Sequence, residues 1–206
     1  KFPGSNPLLT VQMKSVGETM SIGRTFKESL QKAIRGLEIG RYGFGGDGKY
    51  KAITSNPESP EELDALLKAI RIANPGRVLQ IAQALRLGAT VDQIWEATKM
   101  DPWFIRQMRE IVEEEKVLRT AHPNDPVVLR RAKQYGFSDQ QLGLLWDKTP
   151  LEIRNLRKKQ GVLPCYRLVD TCASEFEAYT PYYYSSYEDE DEVQPAKKPR
   201  IVILGG

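Results

Sequence analysis

The chain has 206 residues, 40% of them hydrophobic and 28% charged, which predicts a globular protein with one or two ordinary cores. Its net charge of +3 is too small to indicate a polyanionic partner, because basic residues alternate with acidic ones along the predicted helices. Two cysteines and one histidine are too few for a disulfide framework or a zinc site, and the lack of a long apolar run or a signal peptide favours a cytoplasmic protein without a membrane span.

The lead segment is interrupted by Pro3, Gly4, Pro7, Gly17 and Gly23. These residues break both the helical and the strand period, so we predict loops and short extended pieces there. On composition alone, the segment is typical of a flexible arm.

A helix is predicted to begin at about Phe26. Thr25 and Glu28 have the spacing of a capping box, in which each side chain accepts a hydrogen bond from a backbone N–H at the helix start. The apolar residues that follow recur at three- and four-residue steps and predict one buried stripe, made of Phe26, Leu30, Ala33, Ile34 and Leu37. The polar residues between them are expected to face away from it: Lys27, Glu28, Gln31, Lys32 and Arg35.

Past this helix, the stretch RYGFGGDGKY is rich in glycine. It lacks the GKS or GKT ending of a phosphate loop and the spacing of a dinucleotide-binding motif, so we predict a surface connection. A second helix is predicted after Ser59, with Pro60 in its first turn and Glu62 at the capping-box position. The turn at 74–76 separates it from a third helix, which Gly88 ends.

An internal repeat follows, with an offset of 48 residues from Gly88 to Gly136. Each unit is predicted to contain a helix, a glycine cap, a short helix, and a further helix opened by Asp101-Pro102 or Thr149-Pro150. One unit alone buries too little apolar surface to be stable, so the two are expected to pack against each other. The expected shared core consists of Ile94, Trp95, Phe104, Ile105, Met108, Leu142, Leu145, Trp146, Ile153 and Leu156.

The repeat also fits a helix-turn-helix module that binds nucleic acid through a basic cluster, formed by Arg154, Arg157, Lys158 and Lys159. The first unit argues against this alternative, because its last helix carries an acidic cluster that would repel phosphates, formed by Glu110, Glu113, Glu114 and Glu115. A generic helical interaction scaffold is the remaining alternative from the residues themselves.

Beyond Gly161 the helical period stops, and Val162 to Val169 is predicted to be an extended segment. Cys172 is interpreted as a packed thiol, since His122 is the only histidine that could serve as the base of a nucleophile.

A group of tyrosines follows and predicts a strip that neighbouring domains of a longer chain cover: Tyr179, Tyr182, Tyr183, Tyr184 and Tyr187. The charged run at 188–199 has no means of burying itself and predicts a linker. The short apolar run at 201–204 predicts a buried strand that leads into a glycine turn.

Four stretches resemble the large chain of carbamoyl-phosphate synthase. They are MKSVGETMSIGRTFKESLQKA (13–33), RLVDTCASEF (167–176), YYYSSYE (182–188) and PRIVILGG (199–206). The resemblance is close at both ends of the chain and looser in the middle. It implies a mainly α fold, in which a duplicated, helix-bundle-like domain is flanked by fragments of two α/β ATP-grasp halves.

The resemblance also implies domain boundaries. Residues 1–25 would end the first, carboxyphosphate ATP-grasp half, and residues 26–187 would form the helical oligomerisation domain. Residues 188–199 would be the linker, and 200–206 the first strand of the second, carbamoyl-phosphate synthase half.

The family's activity is expected for the longer protein. It would be an ATP-dependent C–N ligase that makes carbamoyl phosphate from bicarbonate, ammonia taken from glutamine, and two ATP molecules, with magnesium or manganese, for pyrimidine and arginine synthesis. No catalytic, cofactor-binding or metal-ligating residue of the family can be assigned within this chain. The expected partners are other large chains, the glutaminase small subunit and the neighbouring ATP-grasp domains, with neither nucleic acid nor a membrane.

Two groups of site residues are expected. By resemblance, the wall of a passage that carries carbamate between two active sites would include Met13, Lys14 and Glu18. An aromatic anchor beside mixed charges is typical of a protein interface, which predicts an association surface at Trp103, Arg106, Arg109 and Glu110.

Overall fold

The computed structural model describes residues 4, 6–11, 18–173, 175–177 and 180–193, and it confirms a mainly helical fold. The eight helices of these residues are α1 (Phe26–Gly36), α2 (Pro60–Ala69), α3 (Arg77–Arg86), α4 (Val91–Thr98), α5 (Pro102–Thr120), α6 (Pro126–Gln134), α7 (Asp139–Leu145) and α8 (Pro150–Lys159). Two strands follow, β1 (Cys165–Leu168) and β2 (Tyr183–Ser186). Contacts divide the chain into two compact units, Lys1–Val162 and Leu163–Gly206.

Side-chain caps begin the helices where the sequence predicts them. Thr25, Ser59, Thr90, Ser138 and Thr149 each accept a hydrogen bond from a backbone N–H in the first turn of the helix that follows. Each bond satisfies a donor that the helix cannot pair internally. The boundaries of the helical unit are therefore set largely by local sequence.

The capping box predicted at the start of α1 forms only in part. The Thr25 hydroxyl accepts a hydrogen bond from the Glu28 N–H at 3.2 Å, but the Glu28 carboxylate accepts one from the Arg24 N–H at 2.8 Å. Glu28 turns inward and is buried, and so is Gln31, although the periodicity places both on the solvent side. Leu37, predicted to be inside, is exposed. The predicted stripe of α1 is therefore wrong in part, because polar side chains of this helix find partners in the core.

The predicted repeat is present as two three-helix units, repeat 1 (α3–α5) and repeat 2 (α6–α8). Gly88 and Gly136 have φ values of +93° and +87°, a left-handed conformation that costs glycine little at a helix end. Ile105 and Ile153 occupy equivalent positions, and both are fully buried. Helix α5 contacts α1, α3, α4 and α6, so it forms the centre of the helical unit.

Part of the predicted shared core is wrong. Trp95 and Phe104 are exposed to 38% and 41%, while the structure buries Ile94, Ile105, Met108, Leu142 and Ile153 and half-buries Leu145, Trp146 and Leu156. Trp95 stacks beneath the Lys99 ammonium group, 4.5 Å from the ring centre, and Trp146 donates its indole N–H to the Leu118 carbonyl at 2.7 Å. Large rings with a polar contact stay stable at the boundary of a core.

The glycine-rich stretch is a loop, but the prediction that it lies at the surface is wrong for its central residues. Phe44 is fully buried and Asp47 nearly so. A Cβ atom on Gly43 would approach the Gln141 side chain to 2.4 Å, so only glycine lets the backbone pass there. The loop can be buried because core side chains supply the hydrogen bonds that its backbone needs.

The second unit contains the antiparallel pair of β1 and β2, in which Cys165 lies opposite Ser186. The predicted extended segment is thus a strand in its second half. Within the run predicted to be a linker, the Glu192 carboxylate accepts a hydrogen bond from the Leu168 N–H at 2.6 Å and pairs with Arg167 at 2.9 Å. The opposite charge of Arg167 on β1 accounts for this contact. The strand predicted at 201–204 lies outside the described residues.

Candidate association surface

Three aromatic rings meet at the surface where α1 and α5 begin. The ring centre of Phe26 lies 5.6 Å from that of Trp103 and 5.2 Å from that of Phe104, and the last two are 5.0 Å apart. All three contacts are edge to face, the arrangement that aromatic quadrupoles favour. Trp103 is nevertheless 47% exposed. We call Phe26, Trp103 and Phe104 the aromatic cluster.

Local sequence positions the cluster at the first turns of two helices. Asp101 accepts a hydrogen bond from the Trp103 N–H at 2.7 Å, and Pro102 begins α5. Thr25 caps α1 directly before Phe26. Because side chains lean toward the N-terminus of their helix, rings in a first turn extend past the helix end. This position is the signal that could have indicated the exposure of Phe104.

A charged rim borders the aromatic cluster. Lys27 on α1 pairs with Glu110 on α5 at 2.5 Å, and its ammonium group lies 4.7 Å from the ring centre of Tyr135. Arg131 on α6 lies over the same ring at 5.6 Å and pairs with the buried Glu114. The rim therefore joins α1, α5 and α6 around an apolar centre, the arrangement typical of protein interfaces.

The four residues predicted as an association surface all lie on one side of α5. Trp103, Arg106 and Arg109 are exposed, and the Glu110 side chain keeps 39% of its surface. Arg109 pairs with Glu113 one turn further along, at 3.3 Å. Phe26 and Phe104 also belong to this surface, although their helical spacing predicts a place in the α1 stripe and in the shared core.

Two other predicted sites remain less defined. Met13 and Lys14 lie outside the described residues, and Glu18 is exposed, so the passage wall stays a prediction. Of the basic cluster in the nucleic-acid alternative, Arg157 is half-buried and pairs with Asp139 at 3.0 Å. One of the four basic side chains of that cluster is therefore paired within the chain and does not face outward, where it could contact phosphate.

A buried polar junction supports the helices behind this surface. The Gln31 side-chain oxygen accepts hydrogen bonds from the Phe44 N–H at 3.2 Å and from the Gln141 amide at 2.9 Å. The Gln31 amide donates to the Tyr135 carbonyl at 2.9 Å, and the Gln141 amide to the Gly45 carbonyl at 2.8 Å. Both glutamines are fully buried. The junction fastens α1 and the glycine-rich loop to repeat 2.

An ionic group lies beside the same loop. Arg86 pairs with the buried Glu115 and donates to the Phe44 carbonyl at 3.1 Å, and Arg119 pairs with Glu115 at 2.7 Å. Burial would raise the pKa of Glu115, but the two guanidinium groups hold it below its usual value. These side chains border a cavity of about 710 Å³. Because Arg86, Glu115 and Arg119 are paired with each other, we assign no ligand to it.

Glu62 fixes the chain between the glycine-rich loop and α2. Its carboxylate accepts hydrogen bonds from the Tyr50 hydroxyl, from the Ile53 N–H at 2.8 Å and from the Thr54 N–H at 2.5 Å. Burial alone would raise the pKa of Glu62, but these hydrogen bonds lower it to about 2. The charged form is therefore part of the folded structure.

In the described part of the chain, no three His, Cys, Asp or Glu side chains come together as metal ligands. Within the same residues, no helix combines the length and the apolar character needed to cross a membrane.

Comparisons place the chain among known proteins. It matches the sequence model of the family described as carbamoyl-phosphate synthetase large chain, oligomerisation domain, over residues 18–161. Carbamoyl phosphate synthase large chains from Archaeoglobus fulgidus and Synechocystis sp. are 46% and 48% identical to it over 211 and 209 residues. A carbamoyl phosphate synthase arginine-specific large chain, chloroplastic, from Arabidopsis thaliana is 45% identical over 208 residues. Each match covers all of this chain but only 19%, 19% and 17% of the relative, so the chain spans about a fifth of their length.

Proposed function

The chain belongs to the carbamoyl-phosphate synthetase large-chain family, where it matches the oligomerisation domain, and from this membership we propose that its helical unit joins copies of a longer large chain. The observation that supports this most is the aromatic cluster, in which three rings contact each other at the surface and Trp103 stays 47% exposed. Removing such apolar surface from water is favourable by about 25 cal/mol per Å², from which the entropic and desolvation costs of association are subtracted.

Each residue of the predicted association surface has a role in the contact between two copies. Trp103 is the anchor, since an indole buries a large area and has few rotatable bonds to immobilise. Arg106, Arg109 and Glu110 form the polar rim, which excludes water and sets the orientation of the partner. The polar junction behind α1 holds the surface in place.

For the longer protein, we propose the activity that the relatives' names carry. It would make carbamoyl phosphate from bicarbonate, ammonia from glutamine and two ATP molecules with magnesium or manganese, working with a glutaminase small subunit in the cytoplasm. As the resemblance implies, the ATP and metal sites would lie in other parts of the longer protein. Pyrimidine and arginine synthesis would use the product, and the name of the Arabidopsis thaliana relative supports the arginine branch.

Sedimentation velocity of the 206-residue chain over a dilution series tests self-association. The wild-type chain should form a larger species as its concentration rises, and Trp103→Ala should weaken the association at least tenfold, about 1.4 kcal/mol. Trp95→Ala is the matched control, because Trp95 is also a half-exposed ring on a helix of the same unit. A wild-type chain that stays monomeric up to about 1 mM, where association would be worth about 4 kcal/mol or less, would contradict the proposal.

A further inference from the structure

The charged residues on the outer side of α5 are ordered so that a second copy of the helix, running in the opposite direction, presents the opposite charge to each of the central ones. From the N-terminal end, this side presents Trp103, two arginines, two glutamates and a lysine: Arg106, Arg109, Glu110, Glu113 and Lys116. Successive members are three residues apart except for the adjacent pair Arg109 and Glu110, so the six lie within about 140° of the helix circumference. All are exposed except the half-buried Glu110. We call these six residues the α5 outer face.

We infer that two copies of the chain pair through their α5 outer faces, antiparallel, across a two-fold axis between Arg109 and Glu110. This inference rests on the proposed self-association and names its symmetry and its register. A two-fold axis makes every contact occur twice. Arg109 then lies level with Glu110 of the other copy, and Arg106 with Glu113. Trp103 lies level with Lys116 along the helix axis, at each end of the pair.

Charge fixes this register. Moving one helix by a single residue in one direction sets Arg109 level with Arg109 of the other copy, and in the other direction it sets Glu110 level with Glu110. Like charges placed opposite each other destabilise an interface and suppress wrong pairings. In the described residues, neither Arg106 nor Lys116 has an ion-pair partner within the chain. Both can therefore pair across the axis without losing a contact.

The ion pairs within one copy are compatible with the arrangement. Glu110 keeps its bond to Lys27 at 2.5 Å while its carboxylate accepts from Arg109 of the second copy, because an ionised carboxylate offers about four lone-pair positions. The opposite side of α5 carries Ile105, Met108 and Ile111, which are buried, so the outer face points away from the core of the helical unit.

The size of the contact predicts weak association for this chain alone. A helix of 19 residues is about 28 Å long, and a strip about 10 Å wide gives roughly 300 Å² per copy. Standard stable interfaces bury roughly 800 Å² per partner. The aromatic cluster at each end of the antiparallel pair adds apolar area, and a longer chain would supply the rest.

Reversing single charges gives a test with two arms. In a dimer of Arg106→Glu, the new glutamate lies opposite Glu113 of the other copy, and symmetry repeats this acidic pair. In a dimer of Glu113→Arg, the new arginine lies opposite Arg106 of the other copy, again twice. Sedimentation velocity of each variant should therefore show dimerisation weakened at least tenfold. An equimolar mixture of the two variants should associate within about threefold of wild type, because each unlike pair then meets its opposite charge.

Control variants distinguish a wrong antiparallel register from an absence of self-association. Arg154→Glu, at the equivalent exposed position of repeat 2, should leave the dimer unchanged. The double variant Arg106→Glu/Glu113→Arg should restore association and shows that the substitutions allow folding, which circular dichroism of every variant checks. If the wild type associates but the mixture and the double variant do not, the antiparallel register is wrong. If the wild type does not associate at all, self-association itself fails, and the inference with it.

Discussion

Gln31 and Gln141 show how polar side chains can form part of a core. Each amide group both donates and accepts, and together they satisfy backbone groups at Phe44, Gly45 and Tyr135. A buried polar group that is fully paired costs little, whereas one left unpaired costs about 1–3 kcal/mol. The stability of the junction therefore depends on every partner being present.

We expect Gln141→Leu to lower the free energy of unfolding by about 1–3 kcal/mol. The substitution leaves the Gly45 carbonyl and the Ser138 N–H without the bonds that Gln141 provides at 2.8 and 2.9 Å. The neighbouring Gln140 is exposed, so Gln140→Leu is the matched control and should change stability by about 0.5 kcal/mol or less. Urea melts of both variants decide the matter, and equal effects would mean that the junction is not stabilising.

Glu62 predicts a loss of stability in acid. Its pKa is lowered from 4.5 in the unfolded chain to about 2 in the folded protein, so its stabilising contribution is complete above pH 4.5 and is lost as the pH falls toward 2. The stability difference between the wild type and Glu62→Gln should therefore be largest near pH 7 and shrink between pH 4.5 and 3. Urea melts at several pH values measure it, and a constant difference would contradict the assignment.

At the scale of elements, local sequence predicts where helices begin better than which face is buried. A cap such as Thr25 or Ser138 needs only a backbone N–H three residues away, and the printed sequence shows it. Gln31 bonds to Phe44, 13 residues on, and to Gln141, 110 residues on. The apolar spacing within α1 gives no information about such distant partners. The burial of Glu28 and Gln31 could therefore not be predicted from it.

The repeat predicts equal damage at equivalent positions. Ile105 in α5 and Ile153 in α8 are both fully buried, so Ile105→Ala and Ile153→Ala should each cost about 2–5 kcal/mol, the lost transfer free energy plus a cavity. Leu151→Ala is the control, because Leu151 is exposed to 62% on the first turn of α8. A loss under about 0.5 kcal/mol, the usual range for exposed positions, at either isoleucine in urea melts would show that the two repeats are not equivalent there.

At the scale of the whole molecule, the sequence predicts the mainly helical fold and places Trp103, Arg106, Arg109 and Glu110 on a surface. It does not predict the aromatic cluster, because Phe26 joins the rings of α5 only after α1 and α5 pack. An apolar residue at helical spacing looks the same whether a core or another molecule covers it. The domain boundaries and the passage wall stay predictions.

The central claim, association through the aromatic cluster and the α5 outer face, is tested most directly by the indole N–H signals of the three tryptophans in a dilution series of ¹⁵N-labelled chain. Trp103 lies in the proposed contact, Trp95 is a half-exposed ring on α4, and the Trp146 N–H is bound to the Leu118 carbonyl. We predict that only the Trp103 signal shifts or broadens as the concentration rises. A Trp103 signal that does not change, or an equal change at Trp95, would contradict the claim.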